Sequence, residues 1–176
     1  MRVITAPEEY KYNGLDTTIF LAGGICNCDN WQDIVIDELE KEFKDDDHIV
    51  IFNPRRKTFD MSNPKETEIQ ITWEFKYLQL MKIFTMFFSN NPSDQPICMY
   101  ELGRNLVRME FFYDKNYKDR VVISACDGYS RKNDVVIQSG LIGFTVNSLG
   151  PDNTESAKQH AKFIIESVRK IKRVAS

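Results

Sequence analysis

The chain has 176 residues, of which 42% are apolar and 28% charged, a balance that excludes a disordered or fibrous polypeptide and allows one domain with a sizeable core. The formal charge of −3 argues against a nucleic-acid polymer or an anionic membrane surface as partner. No run approaches the roughly 18 apolar residues that span a bilayer, and the stretch from Met1 to Tyr12 lacks a cationic-then-apolar secretion signal, so a cytoplasmic protein is expected. In a reducing compartment Cys26, Cys28, Cys98 and Cys126 are free thiols. His48 and His160 lie far from any cysteine, so no metal site is expected, and nothing in the residues calls for a cofactor.

No linker or internal repeat divides the chain, and residues 1–176 are expected to form a single domain. Thr17–Ala22 reads as a strand ending in Gly23-Gly24. Asp29 with Gln32 has capping-box spacing, and Ile34, Val35, Leu39 and Phe43 follow at helical intervals. His48–Phe52 is the next strand, left through Asn53-Pro54-Arg55-Arg56. Asn63-Pro64 then starts a helix. It carries Ile69, Ile71, Trp73, Phe75, Tyr77, Leu78 and Leu80, too many apolar faces for packing on the sheet alone, and a second copy of the chain is expected to cover part of it. Ile83–Phe88 is a third strand, followed by the turn-rich Ser89–Asp94 and a helix opening at Ile97 or Cys98, with Glu101 in its first turn. Arg120–Ala125 is a fourth strand, Leu141–Val146 a fifth, and an amphipathic helix runs from about Asn153 to Arg173.

Strands alternating with helices predict an α/β fold: a flavodoxin-like doubly wound sheet of about five parallel strands with helices on both faces. In such a sheet ligands bind beyond the carboxyl ends of the first and third of these strands, so the loops holding Gly23-Gly24 and Asp94–Glu101 should face one another.

Several side chains there can carry chemistry, and each has a plainer reading. Gly23 and Gly24 permit close backbone approach to a ligand, or form an ordinary turn. Arg55 and Arg56 can grip a phosphate or carboxylate, or pair with acidic neighbours at the surface. Glu101 can attack an anomeric carbon, kept ionised by the helix start, or serve only as a helix-start charge. Trp31 and Trp73 offer faces to a nucleobase, or fill the core. Tyr100 either orients the Glu101 carboxylate or packs on the sheet. Cys26 and Cys28 lie in the site loop with no histidine to activate them.

Taken in order, Ile19–Gly24, Asn53–Arg56, Trp73-Glu74 and Tyr100-Glu101-Leu102-Gly103 resemble the nucleoside 2-deoxyribosyltransferases, in particular their deoxyribosyltransferase-like branch. Gly128–Asn133 is similar to that branch's aromatic-Arg-Lys loop, so the likeness extends over roughly residues 17 to 138. The resemblance implies a flavodoxin-like fold, a homo-oligomer, and cleavage of the N-glycosidic bond of a deoxynucleoside or its monophosphate, with a free nucleobase as second reactant. It implies Glu101 as nucleophile and Gly23 and Gly24 lining the sugar and base pocket, with Trp31, Asn53, Arg55, Arg56 and Tyr100 as substrate-binding candidates.

One departure stands out. The family's Asp near the end of the helix before the third strand matches Lys82 here, and an ammonium is poorly matched to protonating a leaving base. Glu74 or Asp94 are the catalytic candidates for that proton. Three readings remain open: a transferase passing the sugar to a second base, a 2'-deoxynucleoside 5'-monophosphate N-glycohydrolase, and a non-catalytic module binding a nucleotide derivative.

Overall fold

The computed structural model describes residues 1–60, 62–112 and 116–175. In chain order the elements are β1 (Arg2–Thr5), β2 (Thr17–Gly23), α1 (Trp31–Phe43), β3 (Ile49–Asn53), α2 (Pro64–Leu80), β4 (Ile83–Phe88), α3 (Pro96–Phe112), a 3-10 turn (Tyr117–Arg120), β5 (Val121–Cys126), α4 (Lys132–Leu141), β6 (Val146–Leu149) and α5 (Asn153–Ala175). All strand pairs are parallel and the sheet order is β1-β3-β2-β4-β5-β6. Without β1 this is the flavodoxin-like order, with its reversal between β2 and β4.

The two faces of the sheet follow the period-2 alternation of the strands. Phe20, Ala22, Val50, Phe52, Phe84, Met86, Phe88, Ile123 and Ala125 face a core built with α2, α3 and α4. Ile19, Leu21, Ile49, Ile51, Ile83, Phe87 and Val122 face α1 and α5, which contribute Trp31, Val35, Leu39, Ala157, Ala161 and Ile164. Because both faces are covered, β3 and β4 are buried along their whole length and read as unbroken apolar runs. On the α1/α5 side His160 is fully buried against Trp31 and Phe87, its Nδ1 2.8 Å from Ser124 Oγ. Burial pushes its pKa down to about 3, so the ring is a neutral core group.

Most expected elements form within a residue or two of their predicted ends, and four details differ. The edge strand β1 brings the count to six; only four residues long, it carries no alternation that stands out from the sequence. The cap of α1 is Asn30, whose side chain accepts from Asp33 N–H, rather than Asp29. Helix α4 has no counterpart among the expected elements, and Leu141 ends it instead of opening a strand. Phe144 N–H donates to Ser139 O (2.9 Å) and Gly143 N–H to Gly140 O (3.0 Å), with Gly143 at φ +83°, a Schellman cap that turns the chain into β6. Helix α3 opens at Pro96, so Glu101 sits in its second turn, beyond the pull of the helix-start N–H groups. The expected start for α2, Asn63 capping Lys65 N–H with Pro64 at the first helical position, is present. No described helix is long and apolar enough to cross a membrane.

At the amino edge of the sheet Asp16 is buried among Tyr10 Oη (2.7 Å), His48 Nδ1 (3.1 Å) and Arg2. Burial pushes its carboxyl pKa up, but the hydrogen bonds from Tyr10, Asn13, His48 and Arg2 outweigh it and hold the group at about 2, below the ordinary 3.8. The folded-state pKa is depressed, so this stabilisation is complete above about pH 4 and is lost as pH falls towards 2. Asp16→Asn is expected to cost roughly 1–2 kcal/mol near pH 7 and to flatten the loss of stability between pH 4 and 2, as read by urea unfolding across that range.

Candidate functional site

Parallel strands deliver their loops to one edge, and the reversal of order between β2 and β4 sends those loops apart, leaving a crevice. A cavity of about 250 Å3 fills it. Its walls are Gly23, Gly24, Ile25 and Cys26 after β2; Pro54, Arg56 and Phe59 after β3; Gln70 and Glu74 on α2; and Ser93, Gln95, Pro96, Ile97, Cys98 and Glu101 at the start of α3. The expected meeting of the Gly23-Gly24 and Asp94–Glu101 segments is therefore present, although Asp94 itself stands outside the wall.

The two loops are tied together by one side chain. Gln95 is buried, with Oε1 accepting from Gly24 N–H (3.1 Å) and Nε2 donating to Ser89 O (3.2 Å). It does so from a left-handed backbone, φ +48°, which a non-glycine residue adopts only where its surroundings enforce it. Gly23 and Gly24 are required by space. A Cβ on Gly23 would lie 2.4 Å from Phe87 O, and one on Gly24 2.5 Å from Cys28 Sγ and 2.6 Å from Gln95 Oε1.

Two carboxylates enter the cavity from different helices, Glu74 from α2 and Glu101 from α3. Each is half-buried: one side opens to the cavity while the wall excludes water from the rest. Burial and the charge of Glu74 raise the Glu101 pKa to about 7, partly opposed by the Arg104 guanidinium. Burial likewise raises Glu74, opposed by a hydrogen bond from Gln70 Nε2 (2.8 Å). Two such groups in one cavity titrate as a pair, and the second negative charge is the costly one. Burial and the second carboxylate thus oppose the ionisation that a helix start was expected to favour at Glu101. The Cys98 thiol beside them is pushed up by burial and by Glu101, so it is not an activated nucleophile.

Not every residue singled out from the sequence reaches the cavity. Gly23, Gly24, Arg56, Glu74 and Glu101 do. Trp31 is fully buried behind the wall, its Nε1–H donating to Gly24 O (3.0 Å) and its ring against Phe87, so it offers no face to a ligand. Arg55 points the same way, with Nε donating to Gln32 Oε1 (2.8 Å) and Nη2 to the carbonyls of Ile25 (3.2 Å), Cys28 (3.2 Å) and Asp29 (2.9 Å). It braces the glycine loop from within. Asn53 is buried and accepts from Arg55 N–H (3.0 Å). Tyr100 lies on the outer face of α3, 66% exposed, with Arg104 over its ring. Asp94 is exposed; its carboxylate accepts from Ser130 Oγ (2.6 Å) and its carbonyl from Tyr129 Oη (2.9 Å).

Lys82 lies at the amino end of β4, the edge opposite the cavity, where its ammonium donates to Gly14 O (2.7 Å). It does not occupy a catalytic position, and its mismatch with an acid there loses its force. Gln70, Phe59, Ser93, Gln95 and Cys98 line the cavity without having stood out as candidates. A polar residue one turn before Glu74 was the signal for Gln70. Arg56 spans Glu66 (Nη2 to Oε2, 2.5 Å) and the Phe59 ring, and Arg56 and Phe59 both line the cavity wall. Among the described residues no three His, Cys, Asp or Glu side chains gather to hold a metal.

Because Gly24 and Gln95 share one hydrogen bond across the crevice, Gly24→Ala is expected to break it and cut catalytic efficiency at least about tenfold, measured against any substrate the protein turns over. Wild-type turnover by that variant would contradict the close approach.

The sequence pattern of one protein family, described as nucleoside 2-deoxyribosyltransferase like, matches residues 16–110, more than half of the chain. That stretch runs from β2 through most of α3 and contains every cavity-lining residue named above. It ends before Gly128–Asn133, whose likeness to the family rests on those residues alone. No curated protein matches the chain. The chain belongs to the nucleoside 2-deoxyribosyltransferase-like family.

Proposed function

We propose that the chain, acting as one domain, cleaves the N-glycosidic bond of a deoxynucleoside and retains configuration at the anomeric carbon, with Glu101 as nucleophile and Glu74 as proton donor. One observation carries this reading: two carboxyl groups from different helices share a single, mostly apolar cavity that favours one proton between them. That is the protonation state the chemistry needs. Arg104 favours the ionised form of Glu101 and the Gln70 N–H that of Glu74; the shared proton is assigned to Glu74 because Glu101 stands in the motif that matches the family's nucleophile.

In the first step a Glu101 oxygen forms a bond to C1' as the bond from C1' to the base nitrogen breaks. The electron pair leaves with the base, which takes the proton from Glu74. In the second, the nitrogen of an incoming base attacks C1', Glu101 departs with its electrons, and the proton of the attacking nitrogen passes to Glu74. Water in place of the base yields free sugar by the same proton balance. Phe59 is the stacking partner for the base, and Asp94, engaged by Ser130 away from the wall, is the weaker acid candidate.

A monophosphate substrate is the second reading, supported by Arg56. It is the cationic side chain on the cavity wall. Its pairing with Glu66 tempers that support. Self-association is supported by Ile71 and Phe75, large apolar side chains that stand exposed on α2.

The test is incubation with deoxynucleosides and their 5'-monophosphates, with and without free adenine or cytosine, and chromatography of the products. Base exchange is expected, whereas free sugar in the presence of acceptor base would favour the hydrolase. Binding without turnover would sink both. Glu101→Gln should lose at least about a thousandfold in rate and the covalent sugar adduct seen by mass spectrometry. The pH profile should be bell-shaped, falling on the acid side as Glu101 protonates and on the alkaline side as Glu74 loses its proton. Glu74→Gln should slow the first step and abolish the alkaline limb, because the amide has no proton to lose there.

A further inference from the structure

Gln70 is nine-tenths buried and lies one helical turn before Glu74 on α2. Its Nε2 makes two hydrogen bonds of 2.8 Å, one to the carbonyl of Pro54 just beyond β3 and one to Glu74 Oε1. The Pro54 carbonyl can only accept and Glu74 Oε1 does accept, so the amide's orientation is settled by its neighbours: NH2 towards them, Oε1 away. That orientation leaves Gln70 Oε1 buried with no donor. A buried carbonyl without a partner opposes folding, so the side chain is a poor stabilising device, and its well-made contacts are both on the NH2 side.

We propose that Gln70 is the positioning residue of the acid: anchored to the end of β3 through Pro54, it holds Glu74 Oε1 as an acceptor and so leaves Oε2 as the oxygen that carries and delivers the proton. This rests on the reading of Glu74 as proton donor. An unanchored carboxylic acid can place its proton on either oxygen and can rotate about its last side-chain bond, and only some of those arrangements reach a leaving base. A single N–H aimed at one oxygen removes half of them before substrate arrives. The anchor is rigid at both ends, since Pro54 follows a fully buried strand and α2 is pinned to the core by Trp73, Tyr77 and Leu78.

The hydrogen bond also acts on the proton's affinity. Gln70 donates to the carboxylate and so favours ionised Glu74 against its burial. The other titratable groups facing Glu74 across the cavity are Glu101 and Cys98 on α3, Arg56 from the loop after β3 and Cys26 from the loop after β2. With Gln70 removed, Glu74 should hold its proton to higher pH yet deliver it less well, so rate and pH limb move in opposite senses. A residue that only supports the fold would not produce that pattern.

The experiment has two readouts. The first follows the 13C carboxyl shift of Glu74 with pH in a Glu101→Gln background, with and without Gln70→Leu; the midpoint is expected to rise by at least about half a pH unit. The second measures base release or exchange by the otherwise intact protein. Gln70→Leu should lower kcat about tenfold with KM changed less than about twofold, and move the alkaline limb upward. Gln70→Glu, close in shape, should show the same defect above neutrality and recover rate at acidic pH, where its protonated carboxyl can donate to Glu74. If the leucine variant does not fold, Gln70→Glu supplies both readouts. An unchanged Glu74 midpoint, or a rate loss with an unmoved alkaline limb, overturns the proposal. Impaired Glu74→Gln beside a normal Gln70→Leu overturns it alone, whereas full turnover by Glu74→Gln overturns the acid role of Glu74 and this proposal with it.

Discussion

The bond between Gln95 Oε1 and Gly24 N–H spans the one place where a parallel sheet of this order comes apart. The strand order reverses between β2 and β4, and the connections after these two strands leave towards opposite faces. The crevice that results must be kept open for a ligand and still hold its two rims in register. A side-chain amide does this well, because its acceptor and donor are rigidly related: Gly24 on one rim, Ser89 on the other. The left-handed backbone of Gln95 and the tight space at Gly24 both follow from that bridge.

Behind the bridge, cations are used for structure more than for binding. Arg55 spends its guanidinium on Gln32 and the carbonyls of the glycine loop, and Arg56 is half-engaged by Glu66. The cavity is therefore poor in compensating positive charge, which is why its two carboxylates hold protons more tightly than they would in water. A richer supply of arginine would have produced an ion-pair network with both acids ionised and no proton to give. The wall of Ile25, Pro54, Pro96, Ile97 and Cys98 strengthens the effect by excluding water. Site chemistry and core packing are the same physical event here, since burying the inner face of α2 and α3 on the sheet is what brings Glu74 and Glu101 out of solvent.

Much of this was legible from residue order. The β2, β3 and β4 runs, the Asn63-Pro64 start of α2 and the amphipathic α5 declare themselves through local signals, as does the site loop through its place after a buried strand. The short edge strand β1 and the whole of α4 were not legible. β1 owes its form to pairing with β3, and the Leu141–Phe144 run looks like a strand until Gly143 turns it. Of the functional candidates, Arg55 and Arg56 are chemically identical and adjacent, and nothing in the sequence says that one faces the loop and the other the cavity. Trp31 and Phe59 present the same ambiguity, and the larger aromatic proved to be the core residue.

What residue order determined by itself is the α/β class, the parallel sheet, the place of the ligand crevice and the Glu101 motif, because each depends on patterns a few residues long. The protonation of that glutamate was decided only by tertiary structure. Its charge state depends on burial and on a carboxylate from another helix, whereas the reading of a helix-start anion used the local term alone. Gln70, Gln95 and Glu74 gain their roles the same way: a hydrogen bond or a shared cavity between segments distant in sequence exists only once the sheet has brought its carboxyl edge together.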